Sequence, residues 1–309
     1  MALRVLLPED ATGDLGVLLA AGRPLWVDIT GPSEEDVRVM REVFRFHPLA
    51  IEDTRNQRQR PKVEDYGDHL FLILNPVSWD HEDLAFRELD VFVGKGSVVT
   101  VHPGAEPVVE EARRRIDAHA DPGRIVHALL DTVVDGYFPV LDALGEAIDD
   151  LEDAVMANPR AEVLGRLFQL KRTLLEMRRV IGPQRDMMNV FTRHDLPYLD
   201  AEALRYHFRD VYDHLLRISD MLDTYRDLLT STIDLYMSAV SNRLNQVVNR
   251  LTVFTVLIGV VAVITGFYGM NFEHTWPPFG AQWGVPFTLG VMVLVVSVLL
   301  WAFRRAGWV

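Results

Sequence analysis

Cysteine is absent from the 309 residues. Disulfides, thiolate metal sites and cysteine nucleophiles are therefore excluded, and the bulk of the chain suits a reducing compartment. No secretory leader is predicted at the start, because the apolar run of MALRVLLPED breaks at Pro8, Glu9 and Asp10. Formal charge is nearly missing from the C-terminal end. From Leu251 onward only Glu273, Arg304 and Arg305 are charged, a net +1. The whole chain carries −13, which leaves −14 on the first 250 residues. A domain this acidic repels nucleic acid and attracts cations, although solubility is the plainer use of such a surface.

Where charge is missing, long apolar runs take its place. Residues 251–268 read LTVFTVLIGVVAVITGFY and residues 285–303 read VPFTLGVMVLVVSVLLWAF, both uncharged. Each is close to the ~20 residues that cross a hydrocarbon core as a helix. Trp276 and Trp283 lie between them and Trp301 and Trp308 at the far end, the spacing of two interfacial belts. Arg243 and Arg250 precede the first run and Arg304 and Arg305 follow the second, while the connecting loop has no Lys or Arg. The positive-inside rule then predicts a multi-pass protein of the cell (inner) membrane with both termini cytoplasmic.

The first 125 residues alternate short apolar runs with short helical patterns. LRVLL, LWVDI, HLFLILNPV, LDVFV and SVVTV read as strands of an α/β domain. GKG at residues 94–96 reads as a hairpin turn; a phosphate loop would need an upstream glycine and a following helix, and has neither. Ser33 with Glu35 and Asp36 behind it marks a helix start. No nucleophile–base pair, closed zinc site or nucleotide loop is present, so no enzyme is predicted. Residues 126–200 read as an antiparallel pair, an acidic helix with Asp142, Glu146, Asp149, Asp150, Glu152 and Asp153, then a basic one with Arg166, Lys171, Arg172, Arg178 and Arg179. Two independently solvated faces explain the same charges.

A heptad seam follows. Leu204, Phe208, Val211, Leu215, Ile218, Leu222, Tyr225, Leu229, Thr232 and Tyr236 recur at alternating steps of four and three, with Val240 beyond. This is the pattern of helix-on-helix packing. No Gly or Pro occurs between Ala201 and Ile258, so a stalk helix (201–250) is expected to continue into the first span as one helix of roughly 100 Å. Asp213, Asp220, Asp227 and Asp234 repeat every seven residues, either as a solvated face or as a cation-attracting wall. In the first span Thr252, Thr255, Gly259, Ala262 and Gly266 form a small, weakly polar stripe, with Asn245 seven residues before it. Close helix packing and a pore lining both produce such a stripe. Two helices, each only ~10 Å wide, cannot enclose a water-filled path, so conduction requires an oligomer, with the heptad stalk supplying the self-association.

YGMNF at residues 268–272, closing the first of two C-terminal spans, resembles the signature of the CorA family of divalent-cation transporters. FRDVYDH (208–214) and SNRLNQV (241–247) resemble that family's stalk, and HPLAIED (47–53) and RPKVEDYGDHLF (60–71) its cytosolic domain. The resemblance implies a funnel-shaped homopentamer in the lipid bilayer. Its parts would be the α/β domain (1–125), the helical pair, the stalk, a first span (251–271), an external loop (272–284), a second span (285–303) and a cytosolic tail (304–309). It implies passage of Mg²⁺, with Co²⁺ or Ni²⁺, through a selectivity filter of Gly269, Met270 and Asn271. Asn245, Val248, Leu251, Thr252, Thr255, Gly259 and Ala262 would line the pore, with Val248 and Leu251 its hydrophobic constriction and Asp234 at the cytosolic mouth. Asp210 would be half of an inter-subunit Mg²⁺ sensor whose partner is Asp80, Glu82 or Asp83. No organic cofactor and no nucleic-acid partner are implied. A zinc transporter of the ZntB branch and a non-conducting membrane-tethered coiled-coil scaffold are the alternatives.

Overall fold

The computed structural model describes residues 3–8, 15–57, 59–79, 84–193, 196, 198–199, 201–270, 276 and 282–308. The chain forms two compact units, Met1–Asp153 with Ala161–Thr232, and Ala154–Arg160 with Ile233–Val309.

The first unit opens with an α/β layer. Strands β1 (Leu3–Leu7), β2 (Leu25–Thr30), β3 (Lys62–Asp65), β4 (Leu70–Leu74), β7 (Leu89–Gly94) and β8 (Ser97–His102) make one sheet in the order β1-β2-β8-β7-β4-β3. Among the described residues only β2 and β8 pair in parallel. β5 (Val77–Trp79) and β6 (Leu84–Phe86) form a separate two-stranded ribbon. The runs read as strands from the sequence are strands. The GKG turn joins β7 to β8, with Gly94 opposite Ser97 and Gly96 at φ +82°, a left-handed conformation that suits glycine. Lys62–Asp65 escaped the sequence reading because KVED offers too few apolar residues to show alternation.

β4, β7 and β8 are buried along their whole length, so their apolar runs do not alternate. One face of the sheet packs Leu25, Val27, Ile29, Phe92, Val99 and Val101 against Val37 and Met40 of α2 (Glu34–Glu42) and Ala50 and Ile51 of α3 (Pro48–Asn56). Ser33 starts α2 through a full capping box with Asp36. The opposite face carries a buried polar chain. Trp26 Nε1 donates to Thr100 Oγ1 at 3.2 Å and Thr100 Oγ1 donates to Asp28 Oδ1 at 2.6 Å. Asp28 Oδ1 lies 3.0 Å from His102 Nε2, while His102 Nδ1 faces the Gly104 carbonyl. These bonds tie β2 to β8 through their buried polar side chains.

Helices complete the unit: α1 (Leu15–Ala20), α4 (Pro107–Arg114), α5 (Pro122–Asp135), α6 (Tyr137–Ala157), α7 (Ala161–Arg193) and the start of α8 (Ala201–Tyr268). Asp121 caps α5 by accepting from the Arg124 amide at 3.0 Å, with Pro122 in the first turn. Tyr137 Oη lies 2.7 Å from the Asn75 carbonyl and 2.9 Å from Gln184 Oε1. A single hydroxyl proton serves one acceptor. Turning the Gln184 amide over lets its buried Nε2, which otherwise lacks a partner, donate to Tyr137.

The heptad seam is buried inside this unit. Leu204, Phe208, Val211, Leu215, Ile218, Leu222, Leu229 and Thr232 are all buried, and Phe208 packs on Phe191 of α7. The seam thus meets the chain's own helices and is not free for the self-association expected of it. Ionic pairing differs from expectation as well: the cross-helix bridge from the basic helix is Arg178 to Asp223 of α8 at 2.7 Å, and no α6–α7 ion pair occurs among the described residues. All four aspartates of the sevenfold repeat are exposed.

In the second unit α6 ends at Ala157, just before the Asn158–Pro159 stop. Arg243 donates to Asn158 Oδ1 at 2.7 Å, fixing the end of α6 to α8. α8 continues without interruption to Tyr268, and α9 (Gly284–Arg305) is the second apolar helix.

Candidate functional site

Two features of the folded chain bear on ions, one in each unit. In the second unit, α8 and α9 each hold a stretch long and apolar enough to cross a membrane, with mean hydropathy 2.3 and 2.4. Their large side chains face outward: Leu251, Phe254, Ile258, Val263, Val285, Val293 and Leu294 are all exposed. An apolar surface of this extent needs lipid or other copies to cover it.

The small-residue stripe of α8 is uncovered. Asn245, Val248, Leu251, Thr255, Gly259 and Ala262 are exposed and Thr252 is half-buried. A Cβ built on Gly259 or Gly266 would touch nothing within 4 Å, so the stripe is not the packing face for α9. The Thr252 and Thr255 hydroxyls donate to the carbonyls of Val248 and Leu251, each at 2.9 Å. Their protons thus satisfy the helix, and their lone pairs remain available. At the end of the helix Gly269 N–H donates to Thr265 O at 2.9 Å, and a Cβ on Gly269 would press on that carbonyl at 3.3 Å. Met270 is exposed. Tyr268 Oη donates to the Trp276 carbonyl at 3.2 Å, and Trp276 packs edge-on against Trp283 and Phe287. Asn271, Glu273 and His274 lie outside the described residues, as do Asp80, Glu82 and Asp83. Asp234 lies exposed on α8 in this unit.

In the first unit, α5 and α8 bring metal-ligating groups together. Asp131 and Asp135, one turn apart on α5, and His214 on α8 present donor atoms all within 4.8 Å of one another. Arg115 Nη1 bridges both carboxylates at 2.9 Å. The pairing holds the guanidinium above its usual pKa, first through the Asp135 hydrogen bond, against burial. His214 Nε2 is 4.0 Å from Asp210 Oδ2, and His214 Nδ1 is buried without a partner. Asp210 itself is exposed. Asp131, Asp135 and His214 were not singled out from the sequence. The signal was present in two i,i+4 pairs, Asp131/Asp135 and Asp210/His214, which place each pair on one helix face. Only packing reveals that the two faces meet.

Farther along the same contact, His127 of α5 and His207 of α8 stand edge to face with ring centroids 5.1 Å apart. Burial lowers the His127 pKa, offset in part by Asp131, so its imidazole is neutral near pH 7. Both rings border an open cavity of about 630 Å³, which Arg115, Asp117, Asp121, Arg124 and Asp131 also line.

Comparison with known proteins assigns the lineage. The chain matches the family described as CorA-like Mg2+ transporter protein over residues 22–305. It is 34% identical over 294 residues to the cobalt/magnesium transport protein CorA of Thermotoga maritima, covering 92% of this chain and 83% of that one. It is 26% identical over 294 residues to the protein of the same name from Methanocaldococcus jannaschii, covering 93% of this chain and 92% of that one. The complete structure of the CorA magnesium transporter from M. jannaschii superposes with a TM-score of 0.81 at 24% identity, over 98% of this chain and 95% of the other. That likeness establishes the same fold: a soluble α/β domain, a long helix and two apolar helices. With two apolar helices of spanning length and a family match over most of its residues, this chain belongs to the CorA-like family of divalent-cation transporters, which are not enzymes.

Proposed function

We propose that the protein carries Mg²⁺, and with it Co²⁺ and Ni²⁺, across the cell membrane as a homopentamer with both termini cytoplasmic. The observation that carries this reading is the stripe of α8, whose residues other than half-buried Thr252 are exposed among the described residues. Five copies of that face around an axis would give a path lined by Asn245, Val248, Leu251, Thr252, Thr255, Gly259 and Ala262. Val248 and Leu251 form its apolar constriction, and Asp234 gathers cations at the inner mouth. Gly269, Met270 and Asn271 form the outer filter, where neutral amide oxygens grip a hydrated ion. Mg²⁺ releases water reluctantly, so a filter for the hydrated ion is the economical solution.

The ligands on the route favour a hard cation. They are amide oxygens, hydroxyls and carboxylates, with no cysteine in the chain and no histidine in either span. Zinc is the poorer cargo on this ground.

Cytosolic Mg²⁺ is sensed on the α5–α8 face. Asp210, with Asp131 and Asp135 near it, offers oxygen donors and His214 a nitrogen, and a loop carboxylate of a neighbouring copy, at Asp80, Glu82 or Asp83, completes the bridge. Each bridge offsets the mutual repulsion of acidic domains and so favours the closed state.

The test is uptake into proteoliposomes under an inside-negative potential, one ion at a time, with and without hexaamminecobalt(III). That cation matches hydrated Mg²⁺ in size and cannot exchange its shell. Mg²⁺ flux should be fast and blocked by it, and should vanish in an assembled Asn271→Ala protein. Fast Zn²⁺ flux with negligible Mg²⁺ flux, or unaltered flux in Asn271→Ala, would overturn the assignment.

A further inference from the structure

We propose that the C-terminal part of α9 seats one phospholipid with an anionic headgroup, its phosphate on the guanidiniums of Arg304 and Arg305 and an acyl chain along Leu294, Val298 and Trp301. The inference rests on α9 spanning a membrane and is independent of which ion the protein carries.

The way the helix ends makes the basic pair available. Gly307, at φ +73°, donates its N–H to the Arg304 carbonyl at 3.1 Å, and Trp308 N–H donates to the Phe303 carbonyl at 3.0 Å. Trp308 stacks on Phe303 with ring centroids 5.6 Å apart, the apolar contact that accompanies this kind of helix closure. Arginines in a last turn commonly bond the orphan carbonyls of the helix end. Here the backbone satisfies the Phe303 and Arg304 carbonyls itself. Both arginines are exposed and have no carboxylate partner among the described residues. No Asp or Glu side chain follows Glu273 in the sequence. The Arg305 guanidinium lies over the Trp301 ring, 5.5 Å from its centroid. Stacking on that face orients the group and leaves its N–H edge to meet a phosphate.

An apolar row leads back from Arg305. Leu294, Val298, Trp301 and Arg305 follow at steps of four, three and four, so they share one face of α9. The three apolar members are 63%, 53% and 61% exposed, a surface that needs cover. From Leu294 to Arg305 the helix rises roughly 16 Å at ~1.5 Å per residue. That is about half of a ~30 Å hydrocarbon core, the depth of one leaflet. One lipid can therefore touch the row with its chain and the arginines with its headgroup. The indole of Trp301 lies just inside the basic pair, where an interfacial ring belongs. The plain alternative is a membrane-edge marker that holds no particular lipid. It predicts the same behaviour in zwitterionic and anionic bilayers.

The experiment places the full-length protein in nanodiscs of phosphatidylcholine alone, or of equal parts phosphatidylcholine and phosphatidylglycerol, at fixed ionic strength. Native mass spectrometry counts the lipid retained on release, and the thermal midpoint reports stabilisation by binding. The wild type should retain phosphatidylglycerol and melt higher in the mixed bilayer. Arg304→Gln combined with Arg305→Gln should weaken retention on the order of tenfold, the loss of two basic contacts at an anionic surface, and abolish the shift in midpoint. Arg38→Gln combined with Arg41→Gln, exposed on α2, removes the same charge and should change neither readout. Brominated phosphatidylglycerol should quench Trp301, read as the difference between wild type and Trp301→Phe. Equal retention in wild type and the Arg304→Gln, Arg305→Gln protein would refute the seat. So would an equal loss in the α2 variant, or an equal rise in midpoint when inorganic phosphate is added to phosphatidylcholine nanodiscs. Absence of Trp301 quenching would mean that another copy covers the row and would refute it as well. Ion flux into proteoliposomes of the same two compositions tests the transport reading separately.

Discussion

At His102 both ring nitrogens face acceptors, Asp28 Oδ1 and the Gly104 carbonyl, so the fold wants both to carry protons. Burial works to lower its pKa, but the bond and charge of Asp28, then Gly104 and Glu106, outweigh it and the value is raised. The folded pKa therefore exceeds the unfolded one. Its stabilisation is complete below the unfolded value of about 6.5 and is lost as pH rises through the folded value. The expected outcome is a thermal midpoint that declines in the wild type as pH climbs past that window, with a flatter profile in His102→Gln. Parallel profiles for the two proteins would show that the imidazole is not charged in the fold. At Asp90 burial dominates instead: burial first, then the charge of Glu88, pushes its carboxyl well above the usual carboxylate range.

Among the elements, the contact of α6 with α8 passes through Gly145. A Cβ there would come within 2.7 Å of Tyr225 Oη and 3.1 Å of Cζ. Burial, and then Asp142 and Asp149, raise the Tyr225 pKa, so the ring remains a neutral phenol. Gly145→Ala gains about 1 kcal/mol of helix propensity but overpacks the contact at a cost of about 1–3 kcal/mol. A net loss of stability in chemical denaturation is expected. Tyr225→Phe removes the atom that collides first, so the loss should shrink in the double variant. An undiminished loss there would place the strain elsewhere. The same packing explains why the seam could be read as helix-on-helix and yet its partner could not. Alternating steps of four and three specify one apolar face, and any complementary helix satisfies it, whether from this chain or another.

For the whole molecule, the acidic balance is the governing quantity. The −14 on residues 1–250 must be offset wherever copies of this domain approach one another, and divalent cations are the efficient counter-charge. Removing Mg²⁺ should therefore expose the assembled transporter to limited proteolysis, and restoring it should protect. Asp210→Asn and Asp210→Lys should weaken that protection, because the exposed carboxylate beside His214 is lost. Unchanged protection in both variants would remove Asp210 from the sensing role and leave the aspartate ladder a solvated face.

The sequence by itself determined whatever depends on local period and composition. Uncharged runs of spanning length gave the two apolar helices, continuous apolar stretches gave the buried strands, and the unbroken chain from Ala201 gave a helix that ends at Tyr268. YGMNF, placed at the end of a span, carried the family. Tertiary structure alone decided what those faces meet. The seam is covered by the chain's own helices through Thr232, and the stripe of α8, apart from half-buried Thr252, is left exposed among the described residues. Asp131 and Asp135 reach His214, and His127 reaches His207. The reason is physical: a helix records its own periodicity in its residues, but the rotation and register at which α5 packs on α8 come from volumes filled by the side chains of several elements together, which no single stretch encodes.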